Sequence, residues 1–331
     1  MDRFRAYRVF QDGDTIRGRL VEAGLQDLAD GDVVVRVAYS GVNYKDALAA
    51  TGAGKIMRRF PLVGGVDLAG IVETSGDPRF TPGDEVLATG FGLGESHDGG
   101  FAEYARVPAD WVVRLPRGLD LREAMAIGTA GFTAALSVVE MERNGLAPAN
   151  GAVIVTGATG GVGSLAVQCL AAAGYRVTAS TRKADAHEFL RSLGAAEVIA
   201  AEVPDAAAAR PLEKAAWAGA VDPVGGDTLG WLTRTMQRGG CIASSGLTGG
   251  IKLQTTVMPF ILRGVKLLGI DSSMCPMDLR LEAWRRLAAD MKPAHLAAMT
   301  HATTLEELPA AFDTLLRGAA RGRYVVGIGG V

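Results

Sequence analysis

Cysteine is scarce in this chain. Its 331 residues include three, Cys169, Cys241 and Cys275, without paired or metal-type spacing. That excludes a disulfide framework and points to a reducing compartment. Histidine is scarce too, with four, and His97, His295 and His301 show no HxxxH or HExxH spacing, so a metal centre would lack its usual ligands. No run approaches the about 20 apolar residues of a membrane span, and the N-terminal MDRFRAYRVFQDGD has no signal-peptide core. A net charge of −2 gives no general attraction for nucleic acid or an anionic membrane, so any basic site must be local. A soluble cytoplasmic protein with a small-molecule partner is the expectation.

What is present is ordinary globular material. Hydrophobic residues make up 48% and charged residues 21%, enough for sizeable cores, and the length is about that of two domains. Through residue 125, short alternating segments such as DVVVRVAYSGV (32–42), LAGIVETSG (68–76) and DEVLATGFG (84–92) lie between turn residues. They predict a β-barrel or sandwich. Beyond it, DLREAMAIGTAGFTAALSVVEM (120–141) has helical spacing, with Asp120 placed to cap it. Strand and helix signals then alternate from AVIVTG (152–157) to VKLLGIDS (265–272), with WLTRTMQRGG (231–240) read as a helix. That alternation predicts an α/β, doubly wound parallel sheet. An amphipathic tail follows, and the Ala-rich DAAAAR (205–210) reads as a helical turn or loop.

The sharpest signal is VIVTGATGGVGS (153–164). Glycine weakens a strand end, yet four of them stand between a strand and a helix, with a second strand shortly after. Glycines permit the turn, remove side chains where a diphosphate would lie, and let helix and strand pack closely. The helix N-terminus then offers free N–H groups. Thr159, Gly160, Gly161 and Val162 are the candidates to line a dinucleotide. An NAD site usually has an acid at the end of the second strand; here Ser180, Thr181 and Arg182 stand there. Hydroxyls and a guanidinium suit a 2′-phosphate, so NADPH is the expected cofactor. Asp185 reads as the cap of a helix over 186–193.

These strings resemble the medium-chain dehydrogenase/reductase superfamily over essentially the whole chain: SGVNYKDAL (40–48), VGGVDLAGIVE (63–73), PGDEV (82–86), IGTAGFTAAL (127–136) and VTGATGGVG (155–163). NYKD, IGTAGFTA and TTVMPFILR (255–263) are similar to its zinc-independent, quinone-oxidoreductase-like group, and within it to the acryloyl-coenzyme A reductases. The resemblance implies a GroES-like barrel domain (1–125), a Rossmann NADP-binding domain (126–270) and a tail (271–331) that returns to the barrel. Zinc members have Cys-His where this chain has Asn43-Tyr44, and a GHE segment at Val66-Asp67, so no metal is expected. Hydride transfer without Lewis-acid help suits the conjugated C=C bond of an enoyl thioester or enone, or a quinone; a nucleotide-binding redox sensor without chemistry is the alternative of another class. In the family the NYKD loop lines the cleft, which makes Tyr44 a candidate proton donor (or water in its place) and a cofactor contact, with Asn43 and Asp46 shaping the loop. Thr133, Leu247, Leu267, Ser272 and Arg323 are carried over as cofactor contacts, Arg323 as a phosphate or interdomain one. Lys55, Arg58 and Arg59 form a basic stretch suited to the phosphates of coenzyme A. The group commonly forms homodimers through an edge strand, for which VKLLGID (265–271) is the candidate.

Overall fold

The computed structural model describes residues 3–201 and 210–329; the stretch read as DAAAAR lies almost wholly outside them. Two compact units divide the chain. One holds residues 1–129, 273–281 and 296–331, the other 130–272 and 282–295.

The first unit opens with β1 (Phe4–Asp12) and β2 (Thr15–Ala23), an antiparallel hairpin extended by the short β4 (Leu62–Val63). β3 (Val33–Val42) is its longest strand and pairs with β5 (Asp67–Ser75) and β7 (Tyr104–Val107); β6 (Glu85–Thr89) and β8 (Val113–Arg114) extend the sheet beyond β5. Val33, Val35 and Val37 point alternately inward, as the period of two requires, and pack with Leu68, Val72, Val86 and Phe101. Helix α1 (Tyr44–Thr51) leaves β3 at Asn43.

Helix α2 (Leu121–Arg143) leads into the second unit. Asp120 caps it as expected, accepting from Glu123 N at 2.7 Å while its own N–H donates to Glu123. The helix is nevertheless not continuous. Gly128 breaks it with φ 50°, ψ −160°, a conformation open to glycine. By length and composition α2 could cross a membrane, but 89% of its apolar window is buried.

Six parallel strands form the second unit's sheet: β9 (Val153–Val155), β10 (Val177–Thr181), β11 (Glu197–Ala200), β12 (Trp217–Asp222), β13 (Met236–Ser244) and β14 (Lys266–Gly269). Their spatial order, β11-β10-β9-β12-β13-β14, is that of a doubly wound sheet whose direction of winding reverses between β9 and β12. The crossovers carry α3 (Gly161–Ala172), α4 (His187–Ser192), α5 (Gly226–Thr235) and α6 (Met258–Arg263). The α5 reading ran too far: the helix ends at Thr235, and Met236–Gly240 already belongs to β13. The paired glycines at 239–240 favour leaving a helix, and Gly239 has φ 75°. Ile154, Ala220, Leu232 and Ile242 form the core of the unit.

The tail contributes α7 (Met277–Leu287), α8 (Leu296–Met299), β15 (Thr300–Thr303), α9 (Leu308–Leu316) and β16 (Arg323–Gly327). β16 pairs antiparallel with β3, and Phe312 of α9 enters the first unit's core.

Candidate active site

At the carboxyl end of β9 the chain makes its glycine turn. Gly157 has φ +52°, and Ala158 N bonds Ser180 O at 3.1 Å. Helix α3 then starts at Gly161 with no side-chain cap on its first turn, so its first N–H groups point outward without an intrahelical acceptor. A Cβ on Gly163 would lie 2.4 Å from Gly157 O; helix and turn touch backbone to backbone there. The neighbouring strand closes the same edge. Asp222, fully buried at the end of β12, accepts from Thr156 Oγ1 (2.5 Å), Val224 N (3.1 Å) and Gly225 N (3.0 Å). This ties the ends of β9 and β12 together where the winding reverses, the position at which such sheets bind ligands. Burial raises the Asp222 carboxyl above its ordinary value, against those three donors.

One strand over, β10 ends in buried Ser180 and Thr181 followed by exposed Arg182. Arg182 forms no ion pair among the described residues. No carboxylate ends this strand. Asp185 does not cap α4 as expected. The cap position is Ala186, without a side-chain bond, because a 3-10 turn over Ala184–Ala186 shifts the helix start. Elsewhere in the unit Thr133 Oγ1 donates to Ser272 Oγ at 2.7 Å, which brings two of the expected cofactor contacts together. Leu247 is exposed in the loop after β13, and Leu267 is part-exposed on β14.

In the first unit, Tyr44 is the first residue of α1 and is 42% exposed, its hydroxyl without a hydrogen-bond partner among the described residues. The loop beneath it is tightly held. Asn43 N and Val66 N donate to the two oxygens of Asp46 at 2.8 and 2.9 Å. Asn43 Nδ2 donates to Asp67 Oδ2 at 2.7 Å, and Asp67 also accepts from Thr129 N (2.9 Å) and Thr129 Oγ1 (2.5 Å). Burial, aided by the Asp67 charge, pushes the Asp46 carboxyl up to about 7. Among the described residues no group of three or more His, Cys, Asp or Glu could hold a metal ion.

The family of the alcohol dehydrogenase GroES-like domain matches residues 29–117, and that of the zinc-binding dehydrogenases matches 161–289. The chain is 50% identical over 324 residues to the quinone-oxidoreductase-like YhfP of Bacillus subtilis, covering 98% of both chains. The chain is a medium-chain dehydrogenase/reductase. Acrylyl-CoA reductase AcuI of Ruegeria pomeroyi is 48% identical to this chain over 93% of each. The yhdH oxidoreductase of Salmonella enterica, solved with NADP, superposes with a TM-score of 0.95 at 47% identity over 98% of this chain and all of its own. The yhfP structure, solved with NAD, gives 0.96 at 49% over 99% and 100%.

Two of the expected contact residues, Arg323 and Arg59, already have partners within the chain. Arg323 is buried and turned inward: Nε donates to Ala126 O (3.0 Å) and Nη1 to Val42 O (3.0 Å) and Asn43 Oδ1 (3.1 Å). These bonds fix its place without a phosphate. Of the basic stretch, Lys55, Arg58 and Arg59 are all exposed, and Arg59 is in addition paired at 3.2 Å with Asp98, a buried carboxylate that also accepts from Val63 N and Ala29 N. Arg59 is therefore the least available of the three. Sequence reasoning missed Asp222, Thr156, Gly128 and the role of Asp67. VDPVGG (221–226) carried the first signal, an acid closing an apolar strand before Pro and two glycines. GGVDLAG (64–70) carried the last, an acid opening the apolar run Leu68–Val72.

Proposed function

We propose that the protein is an NADPH-dependent reductase of the C=C bond of a short enoyl-coenzyme A thioester, acryloyl-coenzyme A foremost. The observation that carries the reading is the similarity to an acrylyl-CoA reductase along 93% of both chains. The residues fit the cofactor. The uncapped N-terminus of α3 and the bare turn before it suit a diphosphate, with Thr159, Gly160, Gly161 and Val162 around it. Ser180, Thr181 and unpaired Arg182 suit a 2′-phosphate that a carboxylate would repel. Thr133 and Ser272, joined by their hydroxyls, are assigned to the nicotinamide side, with Leu247 and Leu267.

Bound NADPH supplies hydride to the β-carbon of the thioester. The chain's own task is then to hold the negative charge that spreads onto the thioester oxygen and to protonate the α-carbon. Preorganised donors do the first. Tyr44 is assigned the second, because its phenol is exposed and uncommitted. Lys55 and Arg58, with a smaller share from Arg59, are assigned to the phosphates of coenzyme A. The proposal also includes pairing of two copies along β14, an edge strand of the sheet, with exposed Ile261 and Leu262 on the preceding helix.

A quinone or enone reductase using the same hydride step is the second reading, favoured by the 50% identity to YhfP. Purified protein supplied with NADPH and either acryloyl-coenzyme A or a quinone separates them. Propionyl-coenzyme A formed with a kcat/KM at least tenfold above that for the quinone supports the first; the reverse order supports the second.

A further inference from the structure

Tyr44 is steered by little except its backbone. Its ring is 42% exposed and its hydroxyl is unbonded among the described residues, so the direction of the phenol depends on what fixes the residue before it. Asn43 is fixed at every polar atom described. Its N–H donates to Asp46, its Nδ2 to Asp67, and its Oδ1 accepts from Arg323. The amide cannot turn over without losing both side-chain bonds.

Beneath it lies an interior ion pair. Asp67 is fully buried and Arg323 is 3% exposed, with Arg323 Nη2 3.9 Å from Asp67 Oδ2. Two glycines leave it room. A Cβ on Gly128 would stand 2.5 Å from Asp67 Oδ2 and 2.8 Å from Arg323 Nη2, and one on Gly41 would stand 2.8 and 3.1 Å from the same atoms. The break in α2 at Gly128 also turns the Thr129 N–H and hydroxyl onto Asp67. Burying two charges is a poor route to stability, since apolar residues of the same volume do as well or better. A pair so placed does supply direction, because the Asp67 carboxylate accepts from Asn43 Nδ2 and from the Thr129 N–H and hydroxyl and so fixes each of them.

We propose that Asp67, backed by Arg323, is a positioning residue that orients Tyr44 through the Asn43 amide. The inference rests on the reading of Tyr44 as proton donor. The pair takes no part in the chemistry itself. It sets where the phenol of α1 points.

The test is a mutant cycle on the full-length enzyme, following kcat with acryloyl-coenzyme A, KM for NADPH and the urea midpoint. Asp67→Asn leaves Arg323 buried and uncompensated, so both activity and stability fall. Asp67→Asn with Arg323→Met removes both charges. We expect the midpoint to return close to wild type while kcat stays down by about the same factor as in Tyr44→Phe alone and KM for NADPH moves less than about twofold. Adding Tyr44→Phe to that pair should then change kcat less than about twofold, because the contribution of the phenol has already gone. Recovery of kcat together with the midpoint, or a full Tyr44→Phe loss in the double-variant background, overturns the proposal. Asn43→Ala, which leaves the ion pair intact, covers the case in which the charge variants do not fold, and the same non-additivity is required of it. Wild-type kcat in Tyr44→Phe alone removes the proton-donor reading and this proposal with it. A loss in Tyr44→Phe that multiplies independently with the other variants removes only the proposal.

Discussion

Arg182 is the side chain on which the proposed coenzyme preference turns. It follows two buried hydroxyl residues, is exposed, and has no competing carboxylate partner among the described residues. A charge-assisted bond to a 2′-phosphate contributes about 1.5–3 kcal/mol, so Arg182→Ala should raise KM for NADPH by about tenfold to a hundredfold and leave KM for NADH within about twofold. Steady-state kinetics with both coenzymes checks this, and equal losses would assign Arg182 to the scaffold. Tyr44→Phe should lower kcat more than about threefold without changing KM for NADPH; a smaller change takes the phenol out of the chemistry. Asp46 makes a prediction in pH. Its carboxyl titrates at about 7 when folded against 3.8 when free, so the folded state holds the proton more tightly. Its contribution to stability is full below about pH 4 and is lost as pH rises to about 7. The stability of wild type relative to Asp46→Asn should therefore decline from pH 4 to 8 in urea titrations, and a rise over that window would mean that the two backbone donors outweigh burial.

At the scale of elements, two glycines distinguish a turn that serves packing from one that serves a site. Gly163 lets α3 press on the turn after β9, with 2.4 Å from its would-be Cβ to Gly157 O. Gly163→Val should abolish cofactor binding, measured by quenching of NADPH fluorescence, and destabilise the second unit. Gly128 kinks α2 at φ 50° against Asp67. Gly128→Ala should cost about 1–3 kcal/mol for the backbone strain alone, read as a fall in the urea midpoint, and more for the contact. The two were unequally legible in the sequence. Gly163 sits in a motif whose spacing states its purpose, strand before and helix after. Gly128 sits inside a strong helical pattern, IGTAGFTAAL, where periodicity runs straight through the break; only the contact with Asp67, 61 positions earlier in the chain, explains it. The end of α5 was misread for a similar reason, since TMQRG continues a helical spacing until the parallel ladder with β12 claims Met236.

For the molecule as a whole, the doubly wound parallel sheet followed from the alternation of elements, because right-handed crossovers leave few ways to wind such a sheet. The barrel was readable as a class. Its register was not, since β3 meets β5 and β7 from Val33 onward but β16, a strand from the far end of the chain, only over Tyr39–Val42. The buried network of Asn43, Asp67, Thr129 and Arg323 joins four distant stretches, and no local pattern announces such a meeting. The proposed pairing of two copies along β14 belongs to this scale. Leu267→Lys with Ile261→Lys should shift the mass seen by light scattering from dimer to monomer. An unchanged mass would place any interface elsewhere.

The most direct test is to follow NADPH oxidation by the purified protein over a short series of enoyl-coenzyme A thioesters, with a quinone alongside and the acyl product identified. The account predicts that acryloyl-coenzyme A is converted to propionyl-coenzyme A with the highest kcat/KM of the series, and faster with NADPH than with NADH. Turnover of the quinone alone, or no oxidation of either coenzyme with any thioester, would contradict it.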